Sequence, residues 1–205
     1  MNLAGASDSI LRVARVVADT EAEGPGRRFA VWTQGCPLRC AGCCNPEMFG
    51  DGGGTERRVA ELAAEIAATP GIDGLSLLGG EPFAQAAACA RLAGAVRATG
   101  RTVVVFSGYT LAELRAGDDP GWARLLAATD LLIDGRFDRD RPETSRRWIG
   151  SANQVVHALT GRVSARAGFD RPNTVELRLA GGALTVNGWP AAADAVRPRR
   201  WRGAR

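Results

Sequence analysis

Residues 24–49 read GPGRRFAVWTQGCPLRCAGCCNPEMF, and four of the chain's five cysteines stand in them. Cys36, Cys40 and Cys43 follow a C-x3-C-x2-C spacing, with Cys44 adjacent to the third. Thiolate is the usual ligand of iron–sulfur clusters, so three such residues can hold three irons of a [4Fe–4S] cube. The fourth iron is then left open to bind and activate a substrate or cofactor. Other readings of the same cysteines exist. A disulfide framework is disfavoured, because the cysteines are few, odd in number and crowded into one loop. A zinc site would use the same three residues with Cys44 or His157 as fourth ligand. It would have to bring two adjacent cysteines to one tetrahedral ion, or reach far along the chain. A loop of metal-free thiols is the third reading.

The wider stretch resembles the radical S-adenosylmethionine (SAM) enzymes. Within them it resembles the activases of glycyl-radical enzymes, most closely the small kind that activates anaerobic ribonucleotide reductase. Gly24, Gly26, Arg28, Gly35, the three cysteines and Asn45 carry the likeness. The resemblance implies that Cys36, Cys40 and Cys43 hold the cluster and that SAM takes the open iron. One departure stands out: relatives carry an aromatic residue or histidine beside the third cysteine, where this chain has Gly42 and Cys44. Cys44 is expected to be a small, partly buried side chain outside the ligand set.

At 205 residues, one domain is the default, and 45% hydrophobic residues suffice for a sizeable core. No apolar run approaches the roughly 20 residues of a membrane span. MNLAGASDSI has neither a basic region nor a long apolar one, so no targeting segment is expected. Clustered reduced cysteines point to the cytoplasm. The net charge of +4 is local: Val196–Arg205 carries five arginines and no acid, and the rest of the chain sums to −1. That argues against a nucleic-acid-binding face. Residues 1–190 are expected to form the domain and 191–205 a basic, disordered tail.

Residues 10–19 read as a strand by their β-branched content, and 29–33 as a second strand delivering the cysteine loop. A helix is expected over 56–69, with Thr55 as N-cap and one apolar face. Gly74–Leu78 reads as a strand running into Gly79-Gly80-Glu81-Pro82, with a helix over 83–99 opened by Pro82. Further expectations are a strand within 101–110, helices near 110–116 and 120–128, a strand within 129–137, and a β-hairpin over 174–190. Cys89 reads as a buried helical thiol.

Glycines after a strand let the backbone approach a ligand, and a carboxylate suits a cationic amine. G-G-E-P alone is a weak signal. Starting 36 residues after Cys43, it resembles the motif that holds the methionine amine of SAM, which implies that role for Gly79, Gly80 and Glu81. Ser107-Gly108-Tyr109 resembles a segment near the ribose or methionine of SAM. Asp134, a carboxylate ending an apolar strand, costs free energy unless paired or solvated. It resembles the family's Asp near SAM, with Arg136 two residues on. Gly150-Ser151-x-Asn153-Gln154 resembles another stretch of the reductase-activating branch. Its amides would bind a ligand or order a loop. His157, the one histidine, reads as structural.

The resemblance implies a partial TIM-like (β/α)6 barrel with a C-terminal β-hairpin. Cluster and SAM would sit at the C-terminal ends of its strands. It also implies one-electron reduction of SAM to a 5′-deoxyadenosyl radical, which abstracts hydrogen from a glycine of a partner glycyl-radical enzyme. Flavodoxin or ferredoxin would be the electron donor. Two alternatives stand beside this: a radical SAM enzyme modifying a peptide or small molecule, and a non-enzymatic electron carrier or zinc module.

Overall fold

The computed structural model describes residues 9–180 and 183–188. Four strands run parallel in the middle of one sheet: β2 (Arg28–Thr33), β4 (Gly74–Gly79), β5 (Thr102–Ser107) and β6 (Leu131–Asp134). Antiparallel strands flank them. β1 (Ile10–Thr20) pairs with β2, β3 (Thr55–Arg58) pairs with β1, and β7 (Val155–Ala158) pairs with β6. The order across the sheet is β3-β1-β2-β4-β5-β6-β7. Among the described residues no ladder joins β3 to β7, so the sheet is an open one. A separate hairpin, β8 (Val175–Ala180) with β9 (Ala183–Gly188), follows.

The parallel strands are short apolar runs because both their faces are covered. Phe29, Val31, Leu75, Leu77, Val103, Val105 and Leu132 join a core with the helices α1 (Val59–Ala68), α2 (Ala86–Ala98), α3 (Leu111–Ala116) and α4 (Pro120–Ala127). The alternate residues point the other way, as the two-residue period of a strand requires. Ala30, Trp32 and Leu78 pack with Met48 of the cysteine loop, and Val104, Leu131 and Ile133 pack with Ile149 and Phe169. Helices therefore cover one face, and irregular segments bearing the candidate site cover the other.

The elements depart from expectation at three places. Residues 55–58 form edge strand β3, and α1 begins only at Val59, with Arg58 rather than Thr55 at its N-cap position and no side-chain cap. The apolar periodicity starts at Val59, so TERR has nothing to bury as a helix. The open edge of β1 offers unpaired backbone instead, over Ile10↔Arg58 to Val13↔Thr55. After Glu81, Pro82–Gln85 forms a 3₁₀ turn, and α2 starts at Ala86. β7 was not anticipated as a strand: it is four residues long and partly exposed, with little alternation to read. Among the described residues no helix is long and apolar enough to cross a membrane. The tail expected over 191–205 lies outside the described residues.

Candidate functional site

The cysteine loop leaves the C-terminal end of β2 and closes on itself. Gly35 N–H donates to Met48 O (2.9 Å) and Cys36 N–H to Phe49 O (3.2 Å), while the Gln34 side chain reaches Gly50 O (2.6 Å). Gly35 has φ +90°, and a Cβ there would stand 2.5 Å from Asp51 Oδ1, so the turn into the loop requires glycine. Gln85, beyond the 3₁₀ turn, donates to the carbonyls of Arg12 and Gln34 (both 2.9 Å). Buried Met48 anchors the far side of the loop beside Trp32. Sequence reasoning missed Gln34, Gln85 and Met48, whose types carry no motif signal.

Cys36, Cys40 and Cys43 are half-buried on this loop, Cys44 is exposed, and Cys89 is buried in α2 as expected. Burial pushes the Cys36 thiol up, while the backbone N–H groups of Arg39 and Leu38 point at its sulfur and oppose that. A hydrogen bond from Cys44 holds Cys43 down at about 6, aided by Asn45 N–H 3.4 Å from its sulfur. Cys44 is raised by the same bond. Three partly exposed sulfurs, two of them met by backbone N–H donors, form a donor set suited to anionic thiolates and hence to a cluster. Among the described residues no three His, Cys, Asp or Glu side chains converge as ligands of one ion would. A cube spreads its thiolates over separate irons and does not demand such convergence. His157, the alternative zinc ligand, is held elsewhere by Asp134.

Gly79-Gly80-Glu81 straps β4 to the root of this loop. Gly80 N–H donates to Thr33 O (2.8 Å) and Glu81 N–H to Gly35 O (2.9 Å). A Cβ on Gly79 would meet Trp32 at 2.6 Å, and one on Gly80 would meet Gly35 O at 2.4 Å. The close packing of the strap against Trp32 and Gly35 therefore requires glycine at both positions. The Glu81 carboxylate is 1% exposed. It accepts Phe83 N–H (3.0 Å), the Ser107 hydroxyl (3.0 Å) and Gly108 N–H (2.8 Å). Burial pushes it up to about 7 despite those donors. The four residues Gly79, Gly80, Glu81 and Ser107 thus lie together beside the cysteine loop, with the Glu81 carboxylate turned inward. A Cβ on Gly108 would lie 2.5 Å from Leu38 Cδ1, so the end of β5 also touches that loop.

One strand further, Asp134 faces Ser107 across the β5–β6 register. Its Oδ2 accepts Leu111 N–H and lies 3.0 Å from His157 Nε2. Both residues line a concavity of about 500 Å³ with Thr110, Arg136 and Asn153 among its walls. Arg136 pairs with Glu113 (2.9 Å) and lies over the Tyr109 ring. Asn153 and Gln154 order the loop after β6: their amides donate to Arg136 O and Gly135 O (both 2.8 Å). The Oδ1 of Asn153 is buried without a partner, an acceptor available to a ligand N–H or O–H. A polar organic cofactor therefore fits this end of the sheet.

A family model described as "4Fe-4S single cluster domain" matches residues 22–157. A relative from Vibrio cholerae is 34% identical over 145 residues, 67% of this chain and 91% of the relative. Relatives from Pasteurella multocida (32%; 67% and 90%) and Escherichia coli K12 (31%; 66% and 91%) match similarly. All three are named anaerobic ribonucleoside-triphosphate reductase-activating protein.

Proposed function

Because the chain belongs to the 4Fe-4S single cluster domain family and to the anaerobic ribonucleoside-triphosphate reductase-activating proteins, we propose that it is a radical SAM enzyme that installs a glycyl radical on its partner reductase. The cluster and SAM together supply one-electron cleavage of a sulfonium C–S bond, giving methionine and a 5′-deoxyadenosyl radical that takes a hydrogen atom from a glycine Cα of the reductase. The observation that carries the reading is the placement of the half-buried thiols of Cys36, Cys40 and Cys43 on one closed loop at the C-terminal edge of the parallel strands.

In this reading those three residues hold the cluster. The loop's backbone N–H groups stabilise their thiolates. Gly79 and Gly80 bring the backbone close to SAM while strapping the cysteine loop to β4. Glu81, Ser107 and Asp134 line one polar edge, with Ser107 hydrogen-bonded to Glu81, and Asp134, beside Ser107 in the β5–β6 register, bonded to His157. Asp134 and the free acceptor of Asn153 face the cofactor, and Glu81 shapes the edge from behind. No general base is required for hydrogen-atom transfer, which agrees with the single histidine being tied to Asp134.

Four parallel strands with helices on one face support reading the sheet as part of an open (β/α)6 barrel wall. Such a wall admits a loop of a protein substrate. Flavodoxin or ferredoxin, in the cytoplasm, would supply the electron.

Reduced, reconstituted protein incubated with SAM and the candidate reductase tests the proposal. A glycyl radical signal by electron paramagnetic resonance, with one 5′-deoxyadenosine formed per radical, is expected. A loaded and reduced cluster that yields neither would refute it. 5′-Deoxyadenosine formed without the reductase radical would favour a peptide or small-molecule substrate instead.

A further inference from the structure

Beside the third cysteine the loop carries no bulky apolar side chain of its own. Gly42 precedes Cys43 with φ +77°, a conformation that disfavours any side chain there, and Cys44 is small and exposed. The space is filled from elsewhere. A Cβ on Gly42 would lie 3.6 Å from Cε1 of Phe137 and 3.3 Å from the Cβ and Cδ of Arg139. On the other side of the same ring, a Cβ on Gly150 would stand 3.0 Å from Cδ2 and 3.3 Å from Cε2. Phe137 is thus wedged, half-buried, between two glycines of different loops.

The segment that carries it is pinned on both sides. Gln154 holds Gly135 O and Asn153 holds Arg136 O, each at 2.8 Å, and Ser151 Oγ accepts Asp138 N–H at 3.0 Å. Gln154 is itself fixed, its Oε1 accepting Gly150 N–H (2.8 Å) and Ser151 N–H (3.2 Å). Two carbonyls before the ring and one N–H after it are therefore held by side chains of a single turn. That turn also contributes Gly150, one wall of the slot. Fixing a half-exposed phenyl ring in this way costs conformational entropy, and the place gained for it is beside Gly42, the residue directly before Cys43.

We propose that Phe137 is the apolar wall of the bound cluster on its Cys43 side, with Asn153 and Gln154 as the residues that position it. The inference rests on the cluster assigned above. An apolar shell controls water and oxidant access to a metal centre and tunes its potential. Phe137 supplies that shell across the loop, where position 42 cannot.

The test compares wild type with Phe137→Ala, Phe137→Leu, Phe137→Tyr and Asn153→Ala. Each is reconstituted anaerobically with iron and sulfide, then exposed to chelator and, separately, to air while the cluster absorbance is followed. Reduction potential and the thermal melting of the cluster-free protein are measured alongside. Phe137→Ala is expected to lose its cluster about tenfold faster than wild type. Leu and Asn153→Ala should fall between them, and Phe137→Tyr should restore wild-type lifetime and potential. Equal lifetimes for wild type and Phe137→Ala would overturn the proposal. So would a shortened lifetime that follows the melting temperature across all variants and is not rescued by Tyr. Should Phe137→Ala not fold, wild-type lifetimes in both Phe137→Leu and Asn153→Ala overturn it equally. A wild type that takes up no cluster refutes the assigned function instead, a result separable from a loaded wild type with an equally durable variant.

Discussion

The hydroxyl of Ser107, last residue of β5, donates to Oε1 of Glu81 at 3.0 Å, joining the C-terminal ends of two neighbouring parallel strands through a buried carboxylate. Glu81 also receives Phe83 N–H and Gly108 N–H, so the start of the 3₁₀ turn, the end of β5 and the strap onto the cysteine loop meet at one group. The motif residue that would be assigned to a ligand on sequence grounds is the keystone of the edge on which the ligand would sit.

Its ionisation is therefore linked to stability. Burial raises the Glu81 carboxyl from 4.5 to about 7, so the folded state binds this proton more tightly than the unfolded chain. The contribution is fully present below pH 4.5 and is lost as pH rises through about 7. Glu81→Gln removes the titration but turns an amide NH₂ toward one of three donors, at a cost of ~1–3 kcal/mol. The stability deficit of Glu81→Gln relative to wild type should shrink between pH 5 and pH 8. Glu23, also raised to about 7 by burial, is present in both proteins and cancels in the difference. Urea unfolding of the cluster-free proteins across that range checks this; a constant deficit would contradict it.

The strap itself predicts a second effect. Gly80→Ala would place a methyl 2.4 Å from Gly35 O and 2.9 Å from Thr33 O, the two carbonyls the strap binds. One or both hydrogen bonds must open, and Gly35 directly precedes the first cysteine. Gly80→Ala is expected to fold with a loss of ~1–3 kcal/mol and to load iron poorly. Iron and sulfide content after reconstitution measures it. Full loading would show that the loop does not depend on the strap.

Legibility followed local pattern. The parallel strands could be read because each is a short apolar run, and the cysteine loop because its spacing is chemically restrictive. The strand at 55–58 could not, since TERR has no pattern of its own and pairs only because β1 presents an open edge. Spacing singled out the three cysteines as candidates while leaving cluster, zinc and free thiols open, and it gave no sign of Phe137, whose proximity to Gly42 depends on how two loops nearly 100 residues apart pack. The inward turn of Glu81 was equally hidden, because two of its three donors, Ser107 and Gly108, come from the end of β5 and the residue after it. For Asn153 and Gln154 the sequence left ligand binding and loop ordering open; their amides donate to Arg136 O and Gly135 O of the loop, while the Oδ1 of Asn153 keeps no partner.

Arg28, part of the sequence signature, has its role at the opposite end of the sheet. It is 1% exposed. Its guanidinium donates to Ser76 Oγ (3.3 Å), Thr102 Oγ1 (2.7 Å), Leu75 O (2.5 Å) and Thr102 O (3.0 Å), tying the N-terminal ends of β2, β4 and β5. Burial lowers it to about 10, so it remains charged at neutral pH. Arg28→Ala leaves a cavity and unpaired carbonyls, and should cost ~3–5 kcal/mol in urea unfolding. The cysteine loop starts about 17 Å along β2 from this residue. Protein that still folds should therefore load its cluster normally, and unchanged stability with lost cluster would reverse this assignment.

The adjacent thiols of Cys43 and Cys44 separate the ligand set from its neighbour. Cys43 has its sulfur half-buried, met by Asn45 N–H, on the same closed loop as Cys36 and Cys40. Cys44 is exposed, and its thiol hydrogen-bonds to Cys43. In this reading the exposed Cys44 thiol, held by its hydrogen bond to Cys43, stands beside the third ligand and outside the set. Cys36→Ala, Cys40→Ala and Cys43→Ala should each abolish the cluster, and Cys44→Ala should retain most of its iron and its absorbance. Sulfur-bound zinc would give a different pattern, with iron absent from wild type and zinc retained at one equivalent. If Cys44→Ala loses the cluster while Cys43→Ala keeps it, the third ligand is Cys44, and the wall assigned to Phe137 would flank the wrong sulfur.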